Sequence, residues 1–142
     1  MIPEKIYKQI MDLMPILCVD AVIKNTNGQY LLVKRKNKPL KGEWWLVGGR
    51  VNKGETIEDA ISRKVMEELS LDINKSIPIG YYEDFYKENY FDLDSGAHMI
   101  SIIFMININD DHTIKLDDQS VAWKFSKELP KTFLINPFNS GS

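Results

Sequence analysis

A single cysteine, Cys18, leaves no partner for an internal disulfide, so the chain suits a reducing compartment, and its apolar neighbours give Cys18 a packing role. No uninterrupted apolar run is long enough to span a bilayer. The first stretch, MIPEKIYKQIMDLM, is broken by charge every few residues and reads as neither a signal peptide nor a membrane span, which makes the cytoplasm the expected location. An excess of one charge is also missing: 18 Lys and Arg against 20 Asp and Glu leave a net charge of −2, no field for non-specific nucleic-acid binding, so any anion site must be local. Repeats, low-complexity tracts and linkers are absent, and residues 1–142 are expected to form one domain. With 44% hydrophobic and 27% charged residues the chain has the balance of a globular protein with a core to bury.

What is present is a succession of periodic segments. EKIYKQIMDLM carries Ile6, Ile10, Leu13 and Met14 at helical spacing before Pro15, which predicts a short amphipathic helix. ILCVDAVIK reads as a mostly buried strand, NTNGQ as a hairpin turn and YLLVKRK as the partner strand. Glycines at 42, 48, 49 and 54 punctuate a loop region around WWLV, and a helix follows from about 55 to 69. IPIGYYEDFYK and HMISIIFMINI are rich in β-branched and aromatic residues and predict two further strands, with ENYFDLDSGA as the loop between them. VAWKF predicts a last strand, and SKELP a short helical turn. The order predicts an α/β (α+β) domain, a mixed sheet sandwiched between helices.

The helix over 55–69 raises the chemical question. Ile57, Ile61, Val65 and Leu69 form its packing stripe. Glu67 and Glu68 fall in the last turn, where the helix dipole opposes negative charge. Two readings supply the missing cation. One uses Arg63 and Lys64 at i,i+4, worth about 0.2–0.5 kcal/mol per pair on a solvated face. The other uses a divalent metal on hard carboxylate oxygens, with open positions for phosphate.

The spacing ahead of the helix weighs toward the metal. Gly49 precedes Glu55 by six residues, Arg63 follows eight later, and Glu67 and Glu68 come four and five after that. This resembles the Nudix box, GX5EX7REUXEEXGU with U aliphatic, matched at Gly49, Glu55, Arg63, Val65, Glu67, Glu68 and Leu71 and departed from at Lys64 (Glu in the box) and Ser70 (Gly in the box). The resemblance implies the Nudix fold, Mg2+ or Mn2+ as cofactor, hydrolysis of a nucleoside diphosphate linked to another group, Glu67 and Glu68 as metal ligands, and an Arg63–Glu55 ion pair bracing loop to helix.

NGQYLLVKRKNKPLKGEWWLVGGRV is further similar to the GDP-mannose mannosyl hydrolase branch, which also lacks Glu at the position of Lys64. That likeness implies water attack at the anomeric carbon of a nucleotide-sugar, releasing GDP and sugar. It implies Glu68 and the carbonyl of Gly48 on the metal, Arg35 and Arg50 on the leaving diphosphate, and Asp20 and His98 on the substrate. Where the branch has a metal-ligating Gln or Glu followed by a His base, this chain has Asp117 as the counterpart metal ligand and Asp118 as the counterpart general base, with Gln119 facing the metal if the register slips, and the likeness also implies a homodimer built on the N-terminal helix. Physics points the same way for some of these: a leaving diphosphate gains charge that metal and guanidinium groups stabilise, and a carboxylate inside an apolar strand, Asp20, needs a partner or a purpose. Each also has a plainer reading, Arg35 as a solvated residue of KRKNK, Asp20 as a strand-end hydrogen-bonder, Asp117 and Asp118 as an acidic surface turn and His112 as a turn residue. Trp44, Trp45, Tyr81, Tyr82 and Phe85 are expected in the core, with one or two free to stack on a guanine. Two other activities stay open: a Nudix pyrophosphohydrolase attacking phosphorus of a nucleoside triphosphate or dinucleotide, and a non-catalytic nucleotide-binding module.

Overall fold

Helix α1 (Glu4–Leu13) stops where proline chemistry stops it, because Met14, the residue before Pro15, is extended at φ −144° and ψ 150°. The computed structural model describes residues 2–37, 41–86, 96–109 and 114–139. His112 and most of the ENYFDLDSGA segment lie outside them. β1 (Ile16–Lys24) and β2 (Tyr30–Arg35) form the expected hairpin. Its turn is held by the Asn25 carboxamide, whose Oδ1 accepts the N–H groups of Asn27 and Gln29 at 3.0 and 2.9 Å. β3 (Trp44–Trp45) and β4 (Val47–Arg50) divide the WWLV run between two strands.

α2 spans Ile57–Leu69, two residues shorter than the expected helix. Thr56 caps it, its Oγ1 accepting the Asp59 N–H at 3.1 Å, which leaves Glu55 outside the helix. β5 (Ile77–Tyr86), β6 (Ala97–Asn107), β7 (Ser120–Ser126) and β8 (Asn136–Pro137) complete the described elements. The sheet is mixed, in the order β3-β2-β1-β6-β5-β8, with β4 on β1 and β7 on β2; β1 runs parallel to β6 and antiparallel to β2 and β4.

Alternation along β1 and β6 sorts the two faces. Val19, Ala21, Ile23, Phe104 and Ile106 pack with Ile61, Val65 and Leu69 of α2, the stripe that the period predicts. Each of those three helix residues is fully buried, worth about 1.5–3 kcal/mol apiece. The opposite face carries Val22, Leu32, Trp45, Leu46 and Ile103 under Phe133, and a smaller cluster in which Met11 of α1 meets Ile16 and Ala97. Only Met11 of α1 is buried, whereas Ile6, Leu13 and Met14 stand exposed.

The C-terminal segment departs from expectation. SKELP forms turns and no helix, since Pro130 cannot continue one and its carbonyl instead accepts the Phe133 N–H at 3.0 Å. Phe133 then inserts edge-on to Trp45, centroids 5.7 Å apart, and the tail adds β8 to the edge of β5. One face of the sheet is thus covered by α2, the other by α1 together with this extended segment. No described helix is long and apolar enough to cross a membrane.

Candidate active site

β4 is the thin element of the site. Its register places Gly48 opposite Asp20 and Gly49 opposite Val19, so the two glycines look toward opposite faces. A Cβ on Gly48 would lie 2.1 Å from Asp20 Oδ1, and one on Gly49 would lie 2.5 Å from Lys64 Cε. At 48 the Val19 carbonyl, 2.3 Å from such a Cβ, requires glycine, whereas at 49 only the end of the Lys64 side chain stands in the way. Two glycines therefore make a wall one backbone thick, with a cavity on one side and the acidic end of α2 on the other.

The cavity, about 250 Å³, brings together four of the residues singled out in the sequence: Asp20, Arg35, Gly48 and Arg50. Burial pushes the Asp20 carboxyl up to about 7, against the Ser101 hydroxyl that donates to it and the charge of Arg35. Arg50 lies with its guanidinium carbon 4.2 Å from the centre of the Tyr7 ring. Its carbonyl accepts from Arg63 Nη2 at 2.9 Å. Trp45, Tyr82 and Tyr86 supply aromatic wall. Tyr7, Asp84 and Ser101 were not foreseen as lining residues. For Asp84 a signal existed: period two in YYEDFY puts Tyr82, Asp84 and Tyr86 on one face, and the Tyr82 hydroxyl donates to Asp84 Oδ2 at 2.8 Å.

Two expected site residues lie elsewhere. His98 alternates with the cavity residue Met99 and so faces the other way, stacked on Phe85 at 4.3 Å with Nε2 3.2 Å from Glu83. The cavity lining thus does not include His98. Phe85 and Tyr81 are exposed on that same side and do not wall the cavity. Asp118 is exposed in the turn before β7 and is not among the residues that line the cavity. Asp117 is half-buried, with Oδ1 accepting the Gln119 N–H at 3.0 Å and its own N–H donating to the Glu68 carbonyl at 3.3 Å.

On the helix side of the wall the expected brace is present. Arg63 Nε donates to Glu55 Oε2 at 2.7 Å and Nη2 to Oε1 at 3.0 Å. This bonding draws the Glu55 carboxyl down to about 2. The two neighbouring carboxylates of α2 differ sharply. Glu67 is 47% exposed and lies 3.3 Å from both Arg63 and Lys64; burial that would raise its pKa is outweighed by those two cations, and the net shift is downward. Glu68 is 5% exposed, with Lys64 Nζ at 3.6 Å. Burial pushes its carboxyl up to about 7, Lys64 opposing and Asp117 adding to the rise.

Glu68 Oε2 is buried and accepts no hydrogen bond. An orphaned hard oxygen of this kind fits a hard divalent cation, which would satisfy it. Among the described residues no three His, Cys, Asp or Glu side chains converge on one point.

Comparison with known proteins agrees with this geometry. A family profile, the NUDIX domain, matches residues 14–134. The low-salt glycan biosynthesis protein Agl8 of Haloferax volcanii is 34% identical over 118 residues, 83% of this chain and 74% of that protein. An ADP-ribose pyrophosphatase of Methanocaldococcus jannaschii is 37% identical over 118 residues, 82% of this chain and 66% of that protein. Among solved structures, a MutT NUDIX hydrolase from Burkholderia pseudomallei superposes with a TM-score of 0.71 at 23% identity, covering 85% of this chain and 91% of its own.

Proposed function

The chain belongs to the NUDIX family of hydrolases, and on that premise we propose that it hydrolyses a nucleotide-diphospho-sugar of the GDP-mannose type with Mg2+ or Mn2+, releasing the nucleoside diphosphate and free sugar by water attack at the anomeric carbon. The observation that carries this reading is the inequality of the two helix carboxylates. Glu67 is half-exposed and hydrogen-bonded by Arg63 and Lys64, whereas Glu68 is buried, with Lys64 at ion-pair distance and Oε2 without a hydrogen bond. A one-carboxylate site is what the likeness to the mannosyl hydrolase branch implies.

In this reading Glu68 and the Gly48 carbonyl would hold the metal, with Asp117 beside them. The metal, when bound, supplies Lewis-acid stabilisation of the charge that grows on the diphosphate. Arg35 and Arg50 bind that diphosphate from within the cavity, and the aromatic wall takes up a ring of the substrate. With Asp118 in an exposed turn, Asp20 is the better-placed proton acceptor, because it lines the cavity and its carboxyl titrates at about 7. The name of the Haloferax relative, a glycan biosynthesis protein, supports a sugar-bearing substrate.

A second reading, a pyrophosphohydrolase attacking phosphorus, draws on the position of Asp118 outside the cavity and on the ADP-ribose pyrophosphatase relative. Incubation with GDP-mannose, ADP-ribose and nucleoside triphosphates plus Mg2+ in 18O-labelled water separates the two. Nucleoside diphosphate with labelled sugar supports attack at carbon, whereas nucleoside monophosphate with sugar phosphate overturns it. Ligand-induced thermal stabilisation without any product would instead make the chain a binding module. A homodimer belongs to the same reading, Ile6 and Leu13 of α1 with Met14 after it being the exposed apolar residues, and light scattering on the full chain tests it.

A further inference from the structure

Lys64 occupies the box position where a carboxylate would stand, and its stem has room to swing to solvent on an isolated helix. In the fold it does not. The side chain is only 17% exposed. Its stem lies against the bare backbone of Gly49, close enough that a Cβ there would meet Cε at 2.5 Å and Cδ at 2.9 Å. That seat brings the ammonium 3.3 Å from Glu67 Oε2 and 3.6 Å from Glu68 Oε2. A pinned stem has little rotamer freedom left to lose, so the pairing is a fixed part of the site and not a passing surface contact.

We infer that Lys64 is a tethered counter-ion that competes with divalent cations for Glu67 and Glu68, and so determines how many metal ions α2 holds and how tightly. The inference rests on the reading of Glu68 as a metal ligand. Its logic is electrostatic. A fixed unit positive charge within ion-pair distance of both carboxylates repels any cation arriving there and neutralises part of the charge that would attract it. The same ammonium accompanies the buried Glu68 carboxylate when no metal is bound, which a neutral side chain cannot do. Gly49 is the partner residue in this device, because any side chain at 49 would lift the lysine from its seat.

The test is Mn2+ binding to the metal-free full-length protein, with free Mn2+ counted by electron paramagnetic resonance and melting followed in parallel. Lys64→Met and Lys64→Gln should each bind Mn2+ at least tenfold more tightly than the wild type, and Lys64→Glu should bind one additional ion. Metal-free Lys64→Met should melt below the wild type and recover on adding Mn2+. A lysine that merely packs would lower melting in both states. Mn2+ affinities of Lys64→Met and Lys64→Gln within twofold of wild type would overturn the inference. Glu68→Gln separates the two claims: if it loses Mn2+ while the neutral Lys64 variants are unchanged, only the role of Lys64 falls. If Glu68→Gln binds Mn2+ as the wild type does, the ligand assignment falls and the inference falls with it.

Discussion

Arg63 holds Glu55 through two of its nitrogens, Nε at 2.7 Å and Nη2 at 3.0 Å, and the same Nη2 reaches the Arg50 carbonyl at 2.9 Å. One guanidinium therefore ties the loop after β4 to the helix and fixes the backbone of a cavity arginine.

Lysine cannot reproduce that fork. Arg63→Lys is expected to lose about 1.5–2 kcal/mol of stability in urea denaturation, at the low end of the range of hydrogen bonds to charged groups because the pair is partly exposed. Turnover should fall more than stability alone explains, because Arg50 is no longer held. Equal turnover at a temperature where both proteins are folded would show that Arg63 acts on folding only.

The carboxyls of the site give the metal-free protein an unusual pH profile. Asp20 and Glu68, chiefly through burial, are pushed from ordinary values of 3.8 and 4.5 up to about 7. Groups raised on folding contribute stability that is present below their unfolded values and lost as pH rises through the folded ones. Glu55, drawn down to about 2 by Arg63, contributes the opposite way, present above 4.5 and lost as pH falls toward 2. Metal-free protein should thus be most stable near pH 4.5 and weaken toward pH 7, as a urea series from about pH 3 to about pH 8 would reveal. In Glu68→Gln roughly half of that loss should vanish, together with metal-dependent turnover. An unchanged slope would mean that Glu68 is not the strained group.

At the end of α2, Ser70 adopts the left-handed conformation, φ 57° and ψ 32°, where the box has glycine. Its hydroxyl makes one exposed bond, to the Lys115 carbonyl at 3.3 Å, while its N–H caps Met66 at 2.9 Å whatever the side chain. Ser70→Gly should raise stability by about 0.5–1 kcal/mol, the relief of left-handed backbone outweighing added freedom in the unfolded chain. The shift is read as a melting temperature, and a decrease would mean that the bond to Lys115 matters more than the backbone.

Much of this was legible in the residues because it follows from short-range rules. The stripe Ile61, Val65, Leu69 needs only the helical period, while the Arg63–Glu55 brace was implied by the resemblance to the Nudix box. Asp20 stood out as a charge in an apolar strand, and it does line the cavity. The side His98 faces was not legible because β6 is apolar on both faces: Ile102 and Phe104 alternate with Ile103 and Met105, so alternation separates His98 from Met99 without telling which one meets the cavity. Asp118 was placed by counting back from Trp123, and a count cannot register a turn that points its side chain outward. Phe133 and β8 depend on contacts with residues far earlier in the chain, Trp45 for Phe133 and Gly80 for Pro137, which no local pattern encodes.

The parallel pairing of β1 with β6 has a kinetic side. Asp20 and its partner Ser101 are 81 residues apart, and Cys18 and Met99 are separated by the same distance. Closing so long a loop is an entropic expense met only when the middle of the chain is already in place. During synthesis, a nascent chain that ends before Met99 has β1, the glycine strand and the whole box helix, yet it lacks one side of the cavity. The cavity is therefore completed only after α2 has been made.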